Sequence, residues 1–307
     1  KMSKYNKISF SVFSDMIKDI SFLKRMLGIA VPVTLQNLLN MIVNMVDTIM
    51  IGSLGTGAIA AVGLGNKVYF VFALLVFGIS SGTGLLSAQY WGNKDVKSIR
   101  KVLGIGLLTA VSASFIFSAA AFFIPEILMK IFTESPETVN IGISYLTIVC
   151  FSYPFTAVTN IHVYALRATG QVTIPVITSI SAIIINITAN YMLIFGNFGM
   201  PALGVQGAAY ATLIARAAEC IAVLLIIRLK KSPLVCSLKE MFSFGNNIFR
   251  QFLVNSTPVI ANELMWGLGI TIYSIAYGRM GDNAVAAVTV ATTFTDITLT
   301  VFMGLAA

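Results

Sequence analysis

Charge is scarce in this chain. Asp, Glu, Lys and Arg make up 10% of its 307 residues, against about a quarter in soluble domains. Hydrophobic residues make up 57%, and the mean hydropathy is +0.88. Together these exclude a soluble fold and imply a protein that crosses the membrane many times. Histidine occurs once, and the three cysteines (Cys150, Cys220 and Cys236) show no motif spacing. That excludes a Cys/His metal site and a disulfide framework, and leaves the cysteines as small core residues. No phosphate-binding loop and no nucleophile elbow occurs either. Nothing therefore points to an enzyme or to a nucleotide as energy source, and no cofactor is expected beyond a coupling ion. Acidic residues are outnumbered, 12 to 20, for a formal charge of +8. A basic balance can signal nucleic-acid binding, but here the positive residues gather in alternate connections, as membrane topology requires. No cleavable signal peptide is evident, since the first long apolar run exceeds an h-region.

What is present is a series of apolar runs, at about 24–52, 61–89, 102–124, 139–164, 174–195, 204–228, 249–278 and 284–307. Each of the first seven reaches the roughly 20 residues a spanning helix needs. Short connections rich in Gly, Pro or charge separate them. Residues 1–23 read as a cytoplasmic segment. Phe10, Phe13, Ile17 and Ile20 fall there at the spacing of an interfacial amphipathic helix, though a disordered tail reads equally well. Lys and Arg crowd the N-terminal segment and the even connections, so these are expected on the cytoplasmic side of the plasma membrane. The expected organisation is a first six-helix lobe over 24–228, a cytoplasmic connection over 229–248, and the first two helices of a second lobe over 249–307.

An internal repeat supports that division. Residues 32–81 align without a gap on 258–307, at a constant offset of 226. Pro32 meets Pro258, Gly52 meets Gly278, Gly55 meets Gly281 and Gly78 meets Gly304. Gap-free coincidence of Gly and Pro is hard to obtain from composition alone. Six spans separate the copies, so both run in the same direction. The lobes are then related by an axis along the membrane normal. Because the second copy stops inside its own second helix, about four further spans are expected beyond Ala307.

The first apolar run carries the chemistry. Asn37, Asn40, Asn44 and Asp47 recur at i, i+3, i+7 and i+10, along one helical face. A carboxylate at mid-bilayer costs roughly 2.5–3.5 kcal/mol on insertion scales. The stripe must therefore face a protein interior or a water-filled cavity. Asp47 suits two roles: a carboxylate that binds Na⁺ with amide oxygens, or a buried acid that takes up a proton. The plainer reading is a structural hydrogen bond inside the bundle. Asn186 and Asn190, at i and i+4, share a face of the fifth span. Cation ligation and interhelical hydrogen bonding suit them equally.

Several stretches resemble the multidrug and toxic compound extrusion (MATE) family. One is Pro32…Val46-Asp47-Thr48-Ile49-Met50-Ile51-Gly52, followed by Leu54-Gly55 and Ala58-Ile59-Ala60-Ala61-Val62-Gly63. Others are Leu166-Arg167-Ala168-Thr169-Gly170-Gln171 with Pro175, Asn186…Asn190-Tyr191 leading to Ile194-Phe195-Gly196, and Gly204-Val205-Gln206-Gly207-Ala208-Ala209. Pro258…Asn262-Glu263 also fits. The resemblance covers about 24–307. It implies two six-helix lobes working by alternating access, with export of organic cations coupled to inward Na⁺ or H⁺. It places a cation site at Asp47, Asn186 and Asn190, with Thr212 as a further oxygen donor. It also sets Glu263 facing the cavity from the second lobe. One branch of the family has an acid where Asn190 stands.

A substrate cleft is accordingly expected to involve Asn37, Asn40, Asn44, Asn262, Glu263 and Trp266. A buried acid beside an aromatic suits a lipophilic cation. Arg216 and Glu219, at i and i+3, are expected to form an internal ion pair. Lys67 is expected to snorkel or to face the cleft. His162 is expected to be solvated or capping, and Asp296 is unexplained. The leading function is a secondary antiporter for cationic or amphipathic drugs and metabolites, working as a monomer in the lipid bilayer. The alternative is a flippase for lipid-linked oligosaccharides, whose cleft should be strongly basic; Asp47 and Glu263 argue instead for a cationic substrate. A receptor is disfavoured, because alternating access accounts for a six-span repeat and signalling does not.

Overall fold

The computed structural model describes residues 20–241, 243–292 and 295. The N-terminal segment expected to be interfacial lies outside the described residues, apart from the first residues of helix α1, and so does Asp296. The described residues hold ten α-helices with named bounds. They are α1 (Ile20–Gly52), α2 (Thr56–Gly92), α3 (Val96–Phe123), α4 (Pro125–Lys130), α5 (Pro136–Val149), α6 (Tyr153–Ala168), α7 (Thr173–Phe195), α8 (Val205–Leu229), α9 (Leu238–Met241) and α10 (Asn246–Arg279). A 3₁₀ turn over Cys150–Ser152 joins α5 to α6, so that Pro136–Ala168 forms one span. Residues 282–292 are helical again. Six spans are long and apolar enough to cross a membrane: α2, α3, α5 with α6, α7, α8 and α10. The chain is an all-α, multi-pass membrane protein.

Local sequence explains the ends of these helices. Asp95 caps α3 by accepting from Ser98 N at 3.1 Å, and Ser135 caps α5 by accepting from Thr138 N, with Pro136 at the first helical position. Gly196 ends α7 in the left-handed region at φ 74°, the conformation glycine adopts without strain.

The repeat is visible in the backbone. Helices α1 and α10 each have a proline inside, Pro32 and Pro258, 226 residues apart. Gly55 (φ 116°) and Gly281 (φ 105°) hold matching left-handed turns. The next helices begin at Thr56 and Asp282, again 226 apart.

The two copies pack differently. Helix α1 lies mainly along α7, while α10 runs antiparallel to α2 over most of its length. Glycine makes the second packing possible. A Cβ on Gly78 would sit 2.9 Å from the Ile260 Cα, and one on Gly82 would overlap the Ser256 side chain. Small residues at i and i+4 let two backbones approach this closely. The core of the first lobe forms around α2, α3, α5 and α6, with Phe72 and Tyr153 fully buried and stacked at 4.9 Å.

Candidate functional site

A cavity of about 390 Å³ lies between α1, α2, α5, α7, α8, α10 and the helical residues 282–292. Its position follows from the loop between α7 and α8. Gly196 turns the chain, and Leu203 N and Gly204 N donate back to Leu193 O and Ile194 O at 2.9 and 3.3 Å. Gly207 then brings α8 against α7 so closely that a Cβ there would lie 2.4 Å from Leu193 O. This sets Thr212 beside the polar face of α7 that carries Asn186 and Asn190, both buried. Helix α1 closes the other side with Asn44 and Asp47.

Asp47 Oδ1 accepts a 2.6 Å hydrogen bond from Asn190 Nδ2, which also donates to Asn186 Oδ1 at 3.2 Å. With its amide hydrogens turned to these two acceptors, Asn190 presents Oδ1 as a buried oxygen with no hydrogen-bond partner among the described residues. Buried polar atoms are normally paired, so an orphaned acceptor calls for an explanation. One carboxylate, two amide oxygens and a threonine hydroxyl are hard donors of the kind an alkali cation takes. No group of three or more His, Cys, Asp or Glu side chains that could hold a metal ion occurs among the described residues. The chemistry on offer is therefore that of a single carboxylate with neutral oxygens.

Of the other residues expected to form a cleft, Asn44 lines this cavity, and Asn37 and Asn262 do not. The Asn40 side chain lies outside what the structure describes. Trp266 is one ring removed, 5.8 Å from Phe70, which does line the cavity. Glu263 does not line it either. Its level along α10 explains this: Ser274, where α10 lines the cavity, lies on the same helical face but eleven residues further on, about 16 Å at the helical rise. Two cations take the place expected of that acid. Lys67 and Arg216 both line the cavity, with Lys67 Nζ 5.9 Å above the Phe70 ring.

Arg216 and Glu219 form the expected ion pair, at 3.0 Å. The pair is lopsided: 36% of the Arg216 side chain is accessible but 6% of Glu219. Arg216 thus faces the cavity and Glu219 lies behind it. A buried chain of hydrogen bonds continues from there. Ser179 Oγ donates to Glu219 at 2.9 Å, Gln36 Nε2 to Ser179 Oγ at 2.6 Å, and Arg167 Nη2 to Gln36 Oε1 at 2.8 Å. Sequence reading missed Gln36 and Ser179, because single amides and hydroxyls are common in membrane helices. The only signal was Glu219, a lone acid in an apolar run that needs partners on other helices. His162 departs from expectation: it is buried within α6, where Nδ1 donates to Val158 O at 2.8 Å. One-turn bonding to its own helix meets its polarity without solvent.

On the outer side by the expected topology, two further hydrogen bonds join the halves. Asp282 Oδ2 accepts from Ser135 Oγ at 3.0 Å and from Thr138 Oγ1 at 2.6 Å.

Comparison with known proteins bears on this arrangement. The MatE family model matches residues 32–192, just over half of the chain. The "Probable multidrug resistance protein YoeA" of Bacillus subtilis (strain 168) is 26% identical over 260 residues, covering 84% of this chain and 56% of that protein. The "Probable multidrug resistance protein NorM" of Bradyrhizobium diazoefficiens is 28% identical over 289 residues, covering 91% of this chain and 60% of that one. Among solved structures, the outward-facing conformation of a multidrug resistance MATE family transporter of the MOP superfamily superposes with a TM-score of 0.80 at 22% identity. It covers 92% of this chain and 62% of that one. The inward-facing conformation of such a transporter gives 0.76 at 23% identity, covering 88% and 60%. The chain thus spans somewhat over half the length of the relatives it matches.

Proposed function

The chain belongs to the MatE family of membrane transporters, and on that premise we propose that it carries the coupling site and part of the cargo cavity of a secondary antiporter. It exports cationic or amphipathic organic compounds in exchange for Na⁺ or H⁺ by alternating access. The relatives are named as multidrug resistance proteins, which supports organic compounds as the cargo class. The N-terminus and even connections lie on the cytoplasmic side of the plasma membrane, in line with the distribution of Lys and Arg.

The observation that carries the reading is Asp47. It is an acid on a membrane helix, hydrogen-bonded to Asn190 and open to a cavity large enough for a small organic molecule. Its charge is too costly to leave bare in the bilayer. An ion entering from one side and a cargo entering from the other can neutralise it in turn, which couples the two movements. A membrane potential of 100 mV supplies about 2.3 kcal/mol per charge moved, enough for roughly fortyfold accumulation.

The test uses the intact protein in sealed vesicles, with and without Asp47→Asn. Movement of a fluorescent organic cation is followed after a Na⁺ gradient or a pH gradient is imposed separately. The expected result is transport driven by one gradient and reduced to the level of empty vesicles in the variant. Transport that survives in the variant under both gradients would remove Asp47 from the coupling site. No transport by folded wild-type protein under either gradient would turn the assignment to the flippase, a reading that the two cavity cations, Lys67 and Arg216, favour in part.

A further inference from the structure

Two polar contacts tie α1 to α7, and they share one register. Gln36 Nε2 donates to Ser179 Oγ and Asn190 Nδ2 donates to Asp47 Oδ1, both at 2.6 Å and both between residues 143 apart in sequence. The equal offset means that the two helices run parallel and in step. The rungs lie eleven residues apart on each helix, about three turns or 16 Å. Between them Val43 and Asn186 keep the same offset, and both line the cavity. The rungs differ in permanence. Asp47 faces the cavity, where an ion or a cargo can take the place of Asn190. The Gln36 rung is enclosed: Gln36 and Ser179 are 5% and 3% exposed, and each is held from its far side. Arg167 Nη2 donates to Gln36 Oε1 at 2.8 Å, and Ser179 Oγ donates to Glu219 Oε1 at 2.9 Å.

We propose that Gln36 is a positioning residue for Asp47: its bond to Ser179, fastened by Arg167 and Glu219, sets the register of α1 on α7 in which Asp47 meets Asn190. Something has to set it. Apolar faces give little preference between one register and the next in a bilayer, because lipid is as apolar as Leu. A glycine seam is missing here: α7 contains no glycine, and a Cβ on either glycine of α1 would meet no described residue of α7. One buried polar contact can fix the register of two helices, as a lone Asn does in a coiled coil. A slip of one residue would shift α1 by about 1.5 Å and turn it by about 100°, which takes the Asp47 carboxylate off Asn190. The Asp47 rung cannot hold the register itself, since it opens each time an ion or a cargo takes the carboxylate. Gln36 lies outside the cavity lining and acts only through this alignment. The proposal rests on the reading of Asp47 as the coupling acid and adds to it the residue that aims it.

Labelling by dicyclohexylcarbodiimide tests it. This apolar reagent attacks carboxyl groups within membranes, and its adduct at Asp47 is measured by peptide mass spectrometry on the intact purified protein. Without the Asn190 bond the Asp47 carboxyl is freer to react. Asn190→Leu is therefore expected to label roughly tenfold faster than wild type, the scale of one hydrogen bond to a charged group. Gln36→Met keeps the side-chain length, loses the rung and is expected to approach that rate. The double variant should label no faster than Asn190→Leu, because both act through one contact. Ser179→Ala takes away the acceptor but leaves Gln36 its bond from Arg167. It serves should Gln36→Met fail to fold, with a smaller rise expected. Ser118→Ala loses a hydrogen bond from α3 to Cys150 O and should label like wild type. In vesicles, Gln36→Met should need a several-fold higher concentration of the driving ion for half-maximal transport, with the maximal rate kept within about twofold.

Wild-type labelling of Asp47 in folded Gln36→Met or Ser179→Ala protein would overturn the proposal. So would an effect of Gln36→Met that adds in full to that of Asn190→Leu, equally fast labelling in Ser118→Ala, or an unchanged ion requirement in Gln36→Met. If labelling follows the variants as expected but no ion gradient drives transport by the wild type, the positioning of Asp47 stands and the antiporter reading falls. If the wild type is ion-driven and Asp47 labelling ignores Gln36, the antiporter stands and the positioning role falls.

Discussion

Helices α1 and α10 are copies of one sequence pattern, yet they do opposite work in the bundle. Both carry their proline at the same register, and both lead through a left-handed glycine into the next helix. At offset 226, however, Asp47 meets Tyr273, Asn44 meets Ile270 and Asn37 meets Glu263. Helix α1 presents Asn44 and Asp47 to a cavity and reaches α7 through side chains: Asn190 bonds to Asp47, and Gln36 bonds to Ser179. Helix α10 meets α2 through glycine seams with almost no polar exchange. A repeat therefore conserves backbone turns while leaving side-chain chemistry free to diverge. The copy with polar contacts to α7 places Asp47 on the cavity wall, whereas α10 lends that wall Ser274 and Tyr277.

Matched substitutions in the two copies sharpen this contrast. The largest effect is expected at the paired glycines Gly278 and Gly52. A Cβ on Gly278 would lie 1.8 Å from the Phe132 carbonyl oxygen, whereas on Gly52 it would meet only the flexible end of Ile59 at 3.3 Å. Gly278→Ala should destabilise the protein by about 1–3 kcal/mol or more, as overpacking does, and Gly52→Ala by less than about 1 kcal/mol. Thermal unfolding in detergent measures the difference. Equal shifts would mean that the α10 end is not held as tightly as this geometry requires.

The next effect concerns the starts of the second helix in each copy. Asp282 accepts two hydrogen bonds from the first lobe, and its counterpart Thr56 is exposed. Asp282→Ala should cost about 1–3 kcal/mol, the penalty for stranding partners of a charged acceptor. Thr56→Ala should stay within about 0.5 kcal/mol, as at other exposed positions. Limited proteolysis of the 131–135 connection offers a second readout, with faster cutting expected only in the Asp282 variant.

The smallest effect belongs to a turn outside the membrane. Asp95 caps α3, and hydrogen bonds from the Ser98 hydroxyl and amide hold its carboxyl below the usual carboxylate range. Because the folded-state value is lowered, this contribution is full above about pH 4, the ordinary Asp value, and fades as pH falls through the lowered one. Asp95→Ala should cost about 1 kcal/mol at neutral pH, as for other caps, and the gap from wild type should close on acidification. A gap that is constant with pH would mean that the carboxylate is not what caps the helix.

Much of this architecture is legible in the amino-acid sequence. The stripe ending at Asp47 can be read because a carboxylate in an apolar run has few tolerable places. The Arg216–Glu219 pair can be read because i, i+3 spacing is local to one helix. The partners of Glu219 cannot, since Ser179 and Gln36 lie on other helices and are ordinary residues there. Glu263 shows the limit most clearly. Its repeat position and neighbours suggest a cleft, but the cavity forms nearer the Ser274 end of α10, and which level of the bundle stays open is decided by the packing of several helices together.

Composition, the spacing of apolar runs and the Gly and Pro of the repeat were enough to establish a multi-pass helical protein with two like-oriented copies. Those features act within one helix or one turn, where the chain's own geometry and the thickness of a bilayer leave few choices. Which charges share the cavity was settled by packing. Lys67, Asp47 and Arg216 stand on three helices, and only their packing around α5 and α7, close at Gly65 and Gly207, sets those faces on one cavity. Side-chain distances between helices depend on rotations that no single segment encodes.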